Sequence, residues 1–115
     1  MEFPAMFHRI MFVECVGIGD PPGDDLLAFS LSLIKAIDMT PLGDPVIRYA
    51  DVGALSGTTV VAPMKESALQ LHTWPEQGEG FMTLLLYSCK DYEPQKVLDM
   101  IEQAFHPAAR QWKVV

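Results

Sequence analysis

The chain has 115 residues, half of them hydrophobic and one fifth charged, with eight basic against fifteen acidic side chains for a net charge of −7. That length is one domain, residues 1–115, around one core. With no Lys/Arg cluster, nucleic acid and anionic membrane are poor partners, and no apolar run approaches the ~18 residues of a membrane span. Cys15 and Cys89 form neither a disulfide framework nor a zinc spacing, and His8, His72 and His106 share no ligand spacing, so no metal site is expected. The N-terminus, Met1-Glu2-Phe3-Pro4, carries no secretory signal pattern, and a reduced cytoplasm is the expected compartment.

In chain order, residues 8–16 have the β-branched and aromatic content of a strand. Gly17, Gly19 and Asp20-Pro21-Pro22-Gly23 then make a loop. Asp24 is expected to cap a helix that carries Leu26, Leu27, Phe29, Leu33, Ile34 and Ile37. Pro41 and Gly43 mark its end. Short strands are expected at 45–49 and 58–62, with Pro63 disturbing the pairing that follows. Another strand leads up to His72 and stops at Pro75. After a turn at 77–80, the run Phe81–Cys89 is the strongest strand, and Leu84-Leu85-Leu86 leaves it no polar face, which implies burial on both sides. Asp91 is expected to cap a second helix, with Pro94 in its first turn and Val97, Leu98, Ile101, Ala104 and Phe105 on one stripe. Trp112-Lys113-Val114 closes the chain as a strand.

This order predicts an α+β fold: a two-layer α/β sandwich with an antiparallel sheet and two helices on one face. The other sheet face needs a cover. A second copy supplies one, giving a homodimer with αββα layers.

The chemistry-bearing stretch is Lys65–Glu76, in which a carboxylate, a hydroxyl and an imidazole stand close in sequence at Glu66, Ser67 and His72. Residue chemistry alone leaves plain alternatives open. Ser67 fits a strand edge, His72 a satisfied structural histidine and Cys89 a buried thiol. Ser56 fits a turn and Glu14 a solvated carboxylate.

Glu66-Ser67 with Leu71-His72-Thr73-Trp74-Pro75-Glu76 resembles the core signature of the prokaryotic S-adenosylmethionine decarboxylase proenzymes. Ser56-Gly57 is similar to that family's Ser-Gly step, and Leu84–Cys89 to the strand that carries its cysteine. The resemblance implies self-cleavage between Glu66 and Ser67, leaving a pyruvoyl group derived from Ser67 as the cofactor. It also implies decarboxylation of S-adenosylmethionine, or a related small amino acid, in polyamine synthesis. By the same resemblance His72 and Ser56 assist processing, Cys89 returns a proton to the product, and Glu14 matches an acidic residue of the first strand.

The chain departs from the family pattern in having Ala68 where histidine follows the processed serine, and Lys90 where glycine follows the cysteine. The approach from Ser56 to Ser67 is about three residues longer and includes Pro63, and the run from His72 to Cys89 is about two residues longer, which leaves Cys89 on its strand face because side chains alternate with period two. A second reading stands beside the enzyme: an unprocessed, non-catalytic homologue that keeps the fold as a binding or partner subunit.

Overall fold

The computed structural model describes all residues from Met1 to Val115. Its elements are β1 (Arg9–Val16), α1 (Gly23–Ala36), β2 (Val46–Ala50), β3 (Gly57–Met64), β4 (Ser67–Trp74), β5 (Phe81–Ser88), α2 (Pro94–Phe105) and β6 (Ala109–Val114). One 3₁₀ turn, Gly53–Leu55, precedes β3. The six strands form one sheet in the order β2-β3-β4-β5-β1-β6, every neighbouring pair antiparallel.

This order explains why both helices share a face. β1 and β2 run parallel to each other and are joined through α1; β5 and β6 run parallel and are joined through α2. The two crossovers start from strands of opposite direction and step in opposite senses across the sheet. A right-handed preference for both therefore puts both helices on the same side. There they cover Met11 and Val13 of β1, Val60 and Ala62 of β3, Leu69 and Leu71 of β4, and Leu84 and Leu86 of β5. From the helices come Leu26, Leu33, Ile34, Val97, Leu98 and Ile101, all buried in the same core.

Several local expectations change. Asp24 does not cap α1: the helix starts at Gly23 behind Pro22, and Asp24 lies in its first turn, where a carboxylate suits the helix N-terminus. Asp91 does not cap α2 either. Its Oδ1 accepts from the Tyr92 backbone N–H at 2.8 Å and pairs with Arg9, and the helix begins at Pro94 after an uncapped Glu93. Pro63 does not break the sheet; β3 runs through it to Met64. In a strand, a residue's N–H and C=O point to the same side. The Pro63 carbonyl accepts from Leu42 N–H at 2.9 Å, so the missing donor faces the margin beyond β2 rather than β4. The strand of the signature, β4, opens at Ser67 and takes in His72 and Trp74 before Pro75 ends it. β5 stops at Ser88, leaving Cys89 exposed just past its end. Of the three leucines, Leu84 and Leu86 are buried under the helices, while Leu85 points to the helix-free face and is half-buried in one chain.

Gly57 begins β3 against β4 so closely that a Cβ there would sit 1.6 Å from the Thr73 carbonyl oxygen. Only glycine fits without moving backbone. Gly57→Ala is therefore expected to destabilise the fold by about 2 kcal/mol or more, visible as a lower urea midpoint with an unchanged slope.

Candidate active site

β4 positions most of the candidate residues, and its alternation decides which of them meet. Leu69, Leu71 and Thr73 are buried on the helix side, so His72 lies on the helix-free face and Ser67 shares parity with the buried set. Ser67 pairs with Met64 and Ser88 at one end of the strand; His72 pairs with Thr59 and Thr83 near the other. They stand five positions apart, roughly 16 Å along the strand and on opposite faces. One chain does not bring Ser67 and His72 together.

Two groups result. At the first end, Lys65 and Glu66 form the two-residue turn between β3 and β4, and Ser67 opens β4. The Glu66 carbonyl oxygen accepts from the Cys89 backbone N–H at 3.0 Å. The Cys89 thiol is exposed beside this turn. The second group lies on the helix-free face. His72 Nδ1 and Thr59 Oγ1 are 2.9 Å apart, and the imidazole stacks on Trp74, which stacks in turn on Phe81. The paired residues Glu14–Thr83 and Thr83–His72 put Glu14 in the same cross-strand row. The Glu14 carboxylate accepts from Gln111 Nε2 at 2.8 Å, above a cavity of about 220 Å³ lined by Glu14, Phe81 and Gln111. Ser56 is at this end too. It is nearly fully buried, its hydroxyl accepts from Val52 N–H at 2.8 Å, and the next residue packs on Thr73.

Burial lowers the pKa of His72 below its ordinary 6.5 by disfavouring the imidazolium. A neutral ring at neutral pH can accept a proton, which suits a base. Cys15, on the buried side of β1, has its thiol pushed up to about 11 by burial, so it stays protonated and unreactive. Tyr92 is pushed up to about 12 for the same reason, and its hydroxyl donates to the Leu86 carbonyl oxygen at 3.1 Å.

The family model for S-adenosylmethionine decarboxylase matches residues 24–115. The chain belongs to the S-adenosylmethionine decarboxylase family. It is 30% identical over 109 residues to S-adenosylmethionine decarboxylase proenzyme 2 of Bacillus anthracis, across 93% of this chain and 85% of that one. It is 32% identical over 104 residues to the S-adenosylmethionine decarboxylase proenzyme of Thermococcus gammatolerans, across 86% of this chain and 66% of the relative. The proenzyme of Pyrobaculum arsenaticum is 39% identical over 56 residues, and there the match spans 43% of the relative's length. The crystal structure of the adenosylmethionine decarboxylase from Aquifex aeolicus VF5 superposes with a TM-score of 0.73 at 21% identity, over 96% of this chain and 89% of that one. This likeness gives the fold.

Within this family fold, some contributors escaped the sequence reading. Thr59 is the hydrogen-bond partner of His72, and Gln111 that of Glu14; both follow from strand register, which one sequence does not print. The Cys89 amide acts through the backbone, so no side-chain pattern marks it.

Two measurements test these environments. In the native state a thiol reagent should label Cys89 rapidly and Cys15 only after unfolding. His72 should titrate below 6.5 by NMR. With its folded pKa depressed, its contribution to stability is complete above the unfolded value and is lost as pH falls through the folded one. His72→Gln should flatten the fall in stability that sets in as pH drops below about 6.5, the unfolded value.

Proposed function

We propose that this chain is a proenzyme that cleaves itself between Glu66 and Ser67 and then decarboxylates S-adenosylmethionine, or a related amino acid, in cytoplasmic polyamine synthesis. One observation carries the reading: the carbonyl that Ser67 would attack already holds a backbone donor, Cys89 N–H, at 3.0 Å. As the Ser67 hydroxyl adds to that carbonyl carbon, charge builds on the oxygen, where a fixed donor is worth most. The C–N bond then breaks and leaves an ester. Loss of the Ser67 α-proton breaks the Cβ–Oγ bond and releases Glu66 as a free carboxylate. One water is consumed and one ammonia released as residue 67 becomes the pyruvoyl group. The residues present fit this origin, since both the serine and the carbonyl donor sit at the turn. The group supplies a ketone that draws off the electron pair freed when carbon dioxide leaves. Cys89, exposed beside the turn, is the side chain proposed to return a proton to the product carbon.

The separation of the two groups gives the homodimer a chemical reason. The helix-free face carries Phe12, Leu85, Trp74 and Phe81, partly buried in one chain, and no helix covers it. A two-fold axis running across the strands would pack this face on its copy with the strands reversed. The Ser67 end of each copy would then approach the partner's end that bears Ser56, His72 and Glu14. In this reading His72, 2.9 Å from Thr59, is a neutral base offered across the interface.

A second reading has its own support. Ser67 lies on the helix side of β4 and is followed by Ala68, an arrangement that suits a non-catalytic homologue keeping the fold as a partner subunit.

Intact mass of the purified protein decides between them. Fragments 1–66 and 67–115 are expected, with Ser67→Ala staying whole; a persistent full-length chain favours the partner subunit. For the shared site, His72→Ala should cleave slowly alone and regain cleavage when mixed into dimers with Ser67→Ala. No gain in the mixed dimer would refute the shared site.

A further inference from the structure

We infer that the segment between α1 and β2, residues Asp38–Leu42, is a strap that positions the Glu66–Ser67 bond, with the Glu66 carboxylate and Lys90 as its fastenings. The inference rests on the proposed self-cleavage for its role but not for its geometry. Two-residue hairpin loops normally use primed turns with positive φ, whose twist matches the flanking strands. Neither Lys65 nor Glu66 has a positive φ, so the turn is not of that kind. Its shape is held from outside. Lys65 N–H donates to the Thr40 carbonyl at 2.9 Å, and Thr40 N–H donates to Glu66 Oε1 at 3.1 Å. Leu42 N–H reaches the Pro63 carbonyl at 2.9 Å, and Pro41 bridges Met64. Glu66 is thereby held twice: its side chain by the strap, its carbonyl by Cys89 N–H.

The strap is tied to the Cys89 side as well. Met39 is buried, with its sulfur 3.4 Å from the Ser88 hydroxyl, next to Cys89 in the chain. Lys90 Nζ donates to the Asp38 carbonyl at 2.6 Å and pairs with its carboxylate at 3.3 Å. An exposed ion pair contributes little alone. Here the ammonium also meets a carbonyl just past the C-terminus of α1, where a cation is favoured. Lys90 thus links the residue after the carbonyl donor to the strap that grips the attacked residue's side chain. Both are positioning residues, acting through Thr40 and the Cys89 amide.

The test has two arms. In the first, self-cleavage of the full chain is timed by intact mass. Glu66→Ala should slow it by about tenfold to a hundredfold, the loss expected when reacting atoms leave alignment, and Glu66→Gln, which keeps an acceptor oxygen, should recover most of the rate. Lys90→Ala should slow it less, with Lys90→Arg restoring it. Wild-type rates in Glu66→Ala, or a Glu66→Gln as slow as Glu66→Ala, would overturn the strap. The second arm uses Ser67→Ala, which cannot cleave, and follows amide hydrogen exchange at Thr40 and Cys89. Adding Glu66→Ala should cost both amides their protection, and adding Glu66→Gln should not. Unchanged protection would overturn the strap. A wild-type chain that never cleaves would overturn the self-cleavage reading instead, leaving the exchange arm to decide the strap.

Discussion

β4 is paired along its whole length with β5 and from Ser67 to His72 with β3, and this double pairing constrains everything around it. A strand held on two edges cannot slip by one residue without sending its apolar set to the wrong face. Leu69 and Leu71 fix that register by sitting under the helices. The odd spacing between Ser67 and His72 then assigns the hydroxyl and the imidazole to opposite faces and nearly opposite ends. Closeness in sequence here means separation in space. The same register joins His72 to Thr59 on β3 and aligns it with Thr83 on β5 and Glu14 on β1.

The topology adds the second constraint. Because both crossovers favour the same side, one sheet face receives both helices and the other receives none. The bare face is mixed: Phe12, Leu85, Trp74 and Phe81 alternate there with Thr59, His72, Thr83 and Glu14. Half-buried apolar groups interleaved with a neutral imidazole suit a surface that is closed in the working assembly. Desolvation already lowers the His72 pKa in one chain, and further cover would act in the same direction.

Much of this was legible in the sequence. The strand-helix-strands-helix-strand order, the single-sided helices and the ends of β4 followed from hydrophobic period and from Pro75, because these signals are local. The helix caps were misread at Asp24 and Asp91. In both cases a nearby proline, Pro22 or Pro94, set the helix start, and at Asp91 a partner far away in the same chain, Arg9, claimed the carboxylate. Which residues meet was beyond reach, since that depends on pairing register between segments far apart in the chain. The family signature names Ser67 and His72 together without saying that they part within one fold.

The tip of the β3–β4 hairpin and the strap belong to one structural solution. β2 pairs with β3 only as far as Val61, so Pro63, Met64 and the turn lie past the end of β2. Backbone groups there would lack sheet partners on that edge. Proline at 63 removes one donor from the problem, and Thr40, Pro41 and Leu42 bond or bridge the rest. A hairpin lengthened without these residues would leave its turn free at the sheet margin. Held by them, the turn keeps the Glu66 carbonyl on the Cys89 amide, so the hairpin runs past the end of β2 without releasing the bond at its tip.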